Sequence, residues 1–402
     1  MKKLLNEARE IQSTIVEHRR YFHKNPETSM DLPITTEYVI KKLKEMGYEP
    51  KEICKSGVVA IAGGKKPGKT FMLRADMDAL PIVEENNFEF KSKNNNMHAC
   101  GHDMHTAMLL GAAQLLKDYE YEIEGQVKLM FQPAEEPLIG AKNMIEAGLL
   151  ENPTVDAAMM IHVTTGTPLQ SGKALVLPSG IVTSNSDWFE INVQGKGGHG
   201  AMPHDTIDPI NVLAHIHTAL QAVNSREIAP MEDMVLTVGE IHSGTSSNII
   251  PDTGYLRGTI RSFGKENREF IKKRLEEIST GIASTFRATA NVKFSNGCPS
   301  VRNNEELVKQ FTTYASELLG EEGVFDGATF ADGLFEKISG SEDFGFVSEL
   351  VPSIMVVLGA GSISDEYKYP PHHPKAIFDE NALYFGTSLY ANTAIEWLKN
   401  NK

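Results

Sequence analysis

Three short, mainly apolar runs stand out along the first part of the chain: Phe71-Met72-Leu73, Val127 to Phe131 and Ala157 to Ile161. Bounded by Pro, Gly or polar residues, they predict strands buried on both faces. Apolar positions three and four apart, Leu5, Ala8, Ile11 and Ile15, predict a helix from Leu4 to Phe22, and further helices are read over Thr35 to Met46 and Thr106 to Leu116. Val58 to Gly63 and Thr70 to Ala75 read as two strands joined by a Gly/Lys/Pro turn. The pattern changes at about Ser184. There Trp188, Glu190, Asn192 and Gln194 alternate with Phe189, Ile191 and Val193, the period of a half-buried strand rather than a central one. A helix at Asp208 to Val223, strands at Met234 to Ile241 and Gly254 to Ser262, a helix at Lys265 to Phe286 and a strand at Ala290 to Asn296 complete a β-α-β-β-α-β order, that of a ferredoxin-like domain. From about Cys298 the earlier pattern resumes, with Ile354 to Leu358 as an apolar strand. A chain of 402 residues exceeds what one core usually organises. The expected class is therefore α/β: a domain with a central, mostly parallel sheet over residues 1–184 and 298–402, interrupted by an inserted α+β ferredoxin-like domain over residues 185–297.

A formal net charge of -14 argues against nucleic acid or an anionic membrane as partner, because binding phosphates needs clustered Lys and Arg. Small molecules are the expected partners. The start, Met1-Lys2-Lys3-Leu4-Leu5-Asn6-Glu7, turns polar after two leucines and reads as neither signal peptide nor membrane span. Cys54, Cys100 and Cys298 are too few and too widely spaced for a disulfide framework. Both facts suit a cytoplasmic enzyme.

The chemistry concentrates where predicted strands end. Asp76 and Asp78 follow the first apolar run, Glu135-Glu136 the second and His162 the third, and in an open α/β sheet function collects outside the carboxyl ends of the strands. Alone, a cysteine is commonly a small buried hydrophobe and a Glu-Glu pair a solvated helix face. Together with Cys100-Gly101-His102-Asp103 and His372-His373, these groups offer thiolate, imidazole and carboxylate, a donor set for zinc, manganese or cobalt with room for a reactive water.

Two nucleotide-binding patterns compete with this reading. Gly63-Gly64-Lys65-Lys66-Pro67-Gly68-Lys69-Thr70 matches the P-loop, which would make the chain a nucleotide-binding protein. A P-loop must feed a helix, however, whereas Phe71 to Asp76 reads as a strand, and Pro67 removes an N–H from any phosphate cradle, so a hairpin turn is expected. Gly195-Lys196-Gly197-Gly198-His199-Gly200 matches the dinucleotide fingerprint, but Pro203, His204, Asp205 and Pro209 delay any helix. A loop presenting His199 to a ligand accounts for the same residues. A metal-dependent binding protein without catalysis is a third reading, needing the ligands but no base.

Met97-His98-Ala99-Cys100-Gly101-His102-Asp103-Met104-His105, Arg74-Ala75-Asp76-Met77-Asp78-Ala79-Leu80-Pro81, Phe131-Gln132-Pro133-Ala134-Glu135-Glu136, Gly198-His199-Gly200-Ala201-Met202-Pro203-His204, Asn248-Ile249-Ile250-Pro251 and Gly340-Ser341-Glu342-Asp343-Phe344 closely resemble the aminoacylase branch of the dinuclear metallopeptidase superfamily. That branch holds hippurate hydrolases, N-acetyl-diaminopimelate deacetylases and plant auxin-conjugate hydrolases. The resemblance runs from Arg19-Arg20 to His372-His373-Pro374. It implies a catalytic domain interrupted by a lid that also mediates dimerisation, hence a homodimer or higher homo-oligomer. It implies two divalent ions ligated by Cys100, His102, Glu136, His162 and His372, the last taken over His373 from a His-x-Pro spacing. It further implies Glu135 as general base in hydrolysis of N-acyl amino acids, His199 as oxyanion donor, commonly to the partner subunit's site, and Asn248 as a substrate-holding residue. Asp78 is read either as a carboxylate orienting a ligand or as a strand-end turn residue. The chain departs from the family at Pro137-Leu138-Ile139, where a glycine-rich stretch is usual, and at Thr164-Thr165-Gly166, where Trp or Pro is common.

Overall fold

The structure is a computed structural model and describes residues 2–402. The chain runs α1 (Lys2–Glu10), α2 (Gln12–Lys24), α3 (Pro33–Glu45), β1 (Lys51–Cys54), β2 (Gly57–Gly63), β3 (Lys66–Asp76), α4 (His102–Asp118), β4 (Glu124–Gln132), α5 (Gly140–Glu146), β5 (Ala157–Thr164), β6 (Ala174–Val176) and β7 (Gly180–Ile181). It continues through β8 (Asn185–Gln194), β9 (Gly198–His199), α6 (Pro209–Ala222), β10 (Met234–Ser243), β11 (Ile249–Ile250), β12 (Thr253–Ser262), α7 (Lys265–Thr285) and β13 (Thr289–Cys298). It closes with β14 (Arg302–Asn303), α8 (Glu305–Leu319), β15 (Val324–Asp326), α9 (Gly345–Ser348), β16 (Ser353–Gly359) and α10 (Leu383–Asn400). Two compact units result: one holds the chain through Val182, Val301–Ile338 and Asp343–Lys402, the other Thr183–Ser300 and Ser339–Glu342.

The larger unit is built on one sheet in the order β1-β2-β4-β3-β5-β16-β6-β15. Its middle, β4-β3-β5-β16, is parallel throughout, as is β6-β15, whereas β1-β2, β2-β4 and β16-β6 are antiparallel. Strand alternation explains the apolar runs: Phe71, Leu73, Leu129, Met159 and Ile161 join a core with residues of α2, α4 and α10, while Met72, Met130, Ala158 and Met160 join another with Ala141 and Met144 of α5 and Val347 of α9. Helices on both faces of a mostly parallel sheet make this an α/β layered fold.

Three local expectations need correction. The first helix breaks at Ile11, which leaves helical geometry (φ -92°, ψ 6°). Its apolar stripe continues across the break, so periodicity alone cannot show it. Gly63 to Thr70 is not a hairpin: β2 and β3 flank β4 on opposite sides, and the glycine-rich segment carries the chain from one to the other. It runs into a strand, which removes the P-loop reading.

The smaller unit is an antiparallel sheet in the order β10-β12-β8-β13. Phe189, Ile191 and Val193 pack with Val212, Leu213 and Ile216 of α6 and Ile271 and Leu275 of α7. The expectation that β8 is not a central strand was wrong, since it pairs on both sides. Its alternation records one helix-covered face and one carrying Trp188, Glu190 and Arg257.

Candidate metal centre

The carboxyl ends of β3, β4, β5 and β16 lie at one edge of the sheet, and each leads into polar side chains. Asp76 closes β3 and Asp78 follows it. Ala134, with φ 55°, turns the chain sharply after β4. Both oxygens of Asp78 accept from that turn, from the Glu135 amide at 2.9 Å and the Glu136 amide at 3.2 Å. Asp78 thus binds the backbone of the glutamate pair through both of its oxygens. Gly101 (φ 89°) starts α4, and a Cβ there would stand 2.4 Å from Val163 Cγ2, so only glycine admits the turn that brings Cys100 and His102 beside β5. Asp103, in the first turn of α4, receives Arg19 Nε at 2.8 Å and bonds His23 Nδ1 at 2.7 Å, tying the helix start to α2.

Hydrogen bonds assign the imidazole faces. His102 Nδ1 donates to the Asp78 carbonyl at 2.8 Å and His162 Nδ1 to the Val163 carbonyl at 2.7 Å, leaving each Nε2 for the pocket. Cys100 Sγ lies 3.6 Å from His162 Nε2 and 3.2 Å from His372 Nε2. His102 Nε2 stands 3.9 Å from Glu135 Oε2 and 4.0 Å from Glu136 Oε1, and His372 Nε2 is 3.6 Å from Glu136 Oε1. Most of these spacings are too long for hydrogen bonds. They are close to the separation of about 3.3–3.7 Å between ligands placed 2.0–2.3 Å from one tetrahedral ion.

Buried polar groups nearly always find a partner, yet His102 Nε2 and Glu136 Oε1 are buried with none among the described residues. Their ligand atoms fall into the triads Cys100/His102/His162 and Cys100/Glu136/His372, which share the thiol sulfur, and His102/Glu135/Glu136 joins them. Donors of this chemistry, grouped at this spacing, fit divalent cations. His373 stands apart, stacked on Tyr369 at 4.3 Å.

A family model described as "Peptidase family M20/M25/M40" matches residues 72–396. The chain belongs to this family. It is 39% identical to thermostable carboxypeptidase 2 of Saccharolobus solfataricus (99% of this chain, 98% of that one). It is 34% identical to N-acetylcysteine deacetylase of Bacillus subtilis (98% and 99%). A solved Bacillus subtilis structure described as a dinuclear metal binding peptidase of the M20 family superposes with a TM-score of 0.79 at 32% identity, covering 97% of this chain and 99% of that one. As an M20-family protein the chain is a hydrolytic enzyme, and metal-dependent amide hydrolysis is its reaction class.

Electrostatics accord with that class. Burial, reinforced by Asp78 and Asp76 against the pull of His102, pushes Glu136 up to about 7. Burial holds the Cys100 thiol well above its ordinary range and pushes His162 down to about 3. His102 is held above its ordinary range against its burial, first by Asp76, so a cation bound here competes with protons at Cys100, His102 and Glu136 but not at His162.

The remaining expected site residues lie in the smaller unit. His199, exposed, pairs with Ile249 in the β9-β11 ladder, and the Gly200 amide bonds the Asn248 carbonyl at 2.9 Å, so the two share one loop pair. Gly197, Gly198 and Gly200 all lack positive φ. Close approach makes glycine necessary at Gly200, where a Cβ would meet Asn248 O at 2.9 Å.

Sequence reasoning passed over a second buried layer: Arg74, His105 and Asp343. Arg74 Nη1 and Nη2 reach Asp76 at 2.7 Å and Asp343 at 3.1 Å, and His105 Nδ1 meets Asp76 Oδ1 at 2.6 Å. The one available signal was the placement of His105 a helical turn after His102.

Proposed function

We propose that this M20-family enzyme hydrolyses the amide bond of N-acyl amino acids, with Glu135 as general base beside two divalent ions held by Cys100, His102, Glu136, His162 and His372. The carrying observation is the buried donor set with two unpaired atoms and Glu135 at its rim. Ions bound there would lower the pKa of water from about 15.7 toward about 7 and polarise a carbonyl. Glu135, aimed by Asp78 and 3.9 Å from His102 Nε2, takes a proton from the attacking water and delivers it to the leaving amine. Glu136, diverging from its neighbour, serves as ligand. His199 donates to the developing oxyanion, commonly in the partner subunit's site, and Asn248 holds substrate. Residues 185–297 act as lid and dimerisation element of a cytoplasmic homodimer or higher homo-oligomer. The relatives' names share one scissile group, an amide whose nitrogen belongs to an amino acid with a free carboxylate. A carboxypeptidase activity on free peptides is the second reading, favoured by the 39% identity to a carboxypeptidase.

The test is hydrolysis of a panel of N-acyl amino acids and free dipeptides after loading with zinc, manganese or cobalt. Glu135→Gln is expected to retain its ions and lose about a hundredfold or more in turnover, the scale of a general base. Ions lost together with activity would exchange the roles of Glu135 and Glu136. Full activity without any divalent ion would end the proposal, and so would unchanged turnover in Glu135→Gln, as expected of a non-catalytic binding protein.

A further inference from the structure

We propose that His105, oriented by Asp76, is a positioning residue that fixes the ring of His162 through the backbone of Val163. The inference rests on the reading of His162 as a metal ligand.

β3 and β5 pair in parallel from Phe71↔Ala157 to Arg74↔Met160 and no further, so the strands separate just before His162. On that side β5 then lacks the strand that would have taken its next amides. Two side chains replace that strand. Tyr390 Oη accepts the Ile161 amide at 3.0 Å while donating to the Arg74 carbonyl at 2.7 Å. His105 Nε2 accepts the Val163 amide at 2.8 Å. On the side facing β3, the amides before and after His162 are therefore held by side chains, while β16 stays paired with β5 through Thr164.

His105 has no freedom left. Because Nε2 accepts from a backbone N–H, the ring proton sits on Nδ1, which donates to Asp76 Oδ1 at 2.6 Å. Asp76 Oδ2 in turn accepts from Arg74 Nη1 at 2.7 Å. With both nitrogens engaged, His105 has no lone pair for an ion, although its ligand atom groups with those of Asp76 and His102. Its effect reaches His162 by two routes. Val163, whose N–H it holds, supplies the carbonyl that receives His162 Nδ1 at 2.7 Å and so keeps His162 Nε2 unprotonated. The His105 and His162 rings also meet edge to face, with centroids 4.7 Å apart.

His105→Leu removes both hydrogen bonds, whereas His105→Gln can still accept from Val163 and donate to Asp76. Cobalt(II) titration monitored by visible absorption reads the result without activity. Wild type is expected to bind two ions, with a thiolate-to-cobalt band that Cys100→Ala abolishes. His105→Leu should bind one of them about tenfold to a hundredfold more weakly, the usual cost of removing a partner that orients a ligand, with an altered ligand-field spectrum. His105→Gln should restore both. Wild-type affinity and spectrum in His105→Leu would overturn the positioning role while leaving the metal centre intact, whereas a wild type that binds no ion would overturn the metal centre itself. Should the leucine variant fail to fold, nitrogen-15 histidine spectra of wild type decide: a proton on His105 Nδ1 supports the proposal, and one on Nε2 overturns it.

Discussion

Two groups of buried charge adjoin the ends of β3 and β4, and they are neutralised in opposite ways. The first closes on itself. Arg74 donates from Nε to Gln132, from Nη1 to Asp76 and from Nη2 to Asp343, while Asp343 also accepts from Gln132 Nε2 at 2.6 Å and from the Ala141 amide at 2.9 Å. The second does not close: His102 Nε2 and Glu136 Oε1 are buried with no hydrogen-bond partner among the described residues. Taking an ion out of water costs several kcal/mol unless a partner offsets it. The closed group is offset by the chain and supports the sheet, whereas the open group is offset by a cation from solution. A buried charge network marks a scaffold when its valences are filled and a site when they are not.

The largest test of this distinction is Arg74→Met, which strands the carboxylates of Asp76 and Asp343 in the interior. A loss of about 3–5 kcal/mol is expected in urea unfolding, much of a typical domain's stability. Near-native stability would mean that the network is not what offsets those charges.

A second prediction concerns a buried group outside both networks. His18 bonds Tyr38 through Nδ1, its Nε2 is buried without a hydrogen-bond partner among the described residues, and burial, with a smaller push from Lys42, holds it at about 4. Between that value and the unfolded value of about 6.5 the unfolded chain binds a proton that the folded chain refuses. The contribution to stability is thus complete above about pH 6.5 and is lost as pH falls toward 4. Between pH 7 and 4.5 wild type should lose about 2 kcal/mol more than His18→Leu, and equal losses would show that the histidine is not kept neutral.

Asp78→Asn probes the link between positioning and chemistry. A carboxamide can accept only one of the two amides that Asp78 now receives, so the protein should fold with about 1 kcal/mol less stability and lose turnover in proportion to the misplacement of Glu135. Unchanged turnover, measured with both ions confirmed, would make Asp78 a mere turn residue.

The smallest effect on stability is expected inside the open pocket. Glu136→Gln removes a carboxylate crowded by Asp76 and Asp78, so in chelator it should leave unfolding free energy unchanged or raise it by about 0.5 kcal/mol, while binding of added zinc falls sharply. Destabilisation on the scale of Arg74→Met would erase the distinction between the two groups.

Much of this site is visible in the linear chain because its chemistry is local. Cys100 and His102 are two residues apart, Glu135 and Glu136 adjoin, and both groups border runs whose apolar character announces strands. For His372 over His373 the chain offered only the His-x-Pro spacing that the family resemblance implies. Only the folded loop shows His372 beside Cys100, in a left-handed backbone conformation (φ 68°), with His373 turned onto Tyr369. The closed network was illegible, since Arg74 and Asp343 lie 269 residues apart and neither neighbourhood shows that they meet.

The sequence by itself determined the α/β class, the β-α-β-β-α-β order of the inserted segment, the family and the candidate donor types, because hydrophobic period and donor chemistry are properties of short stretches. The tertiary structure alone decided that β4 lies between β2 and β3, that β3 and β5 part before His162, and that His105 and Tyr390 take up the amides so released. Strand order and separation depend on which distant segments pack best together, a competition among long-range contacts that no local pattern records.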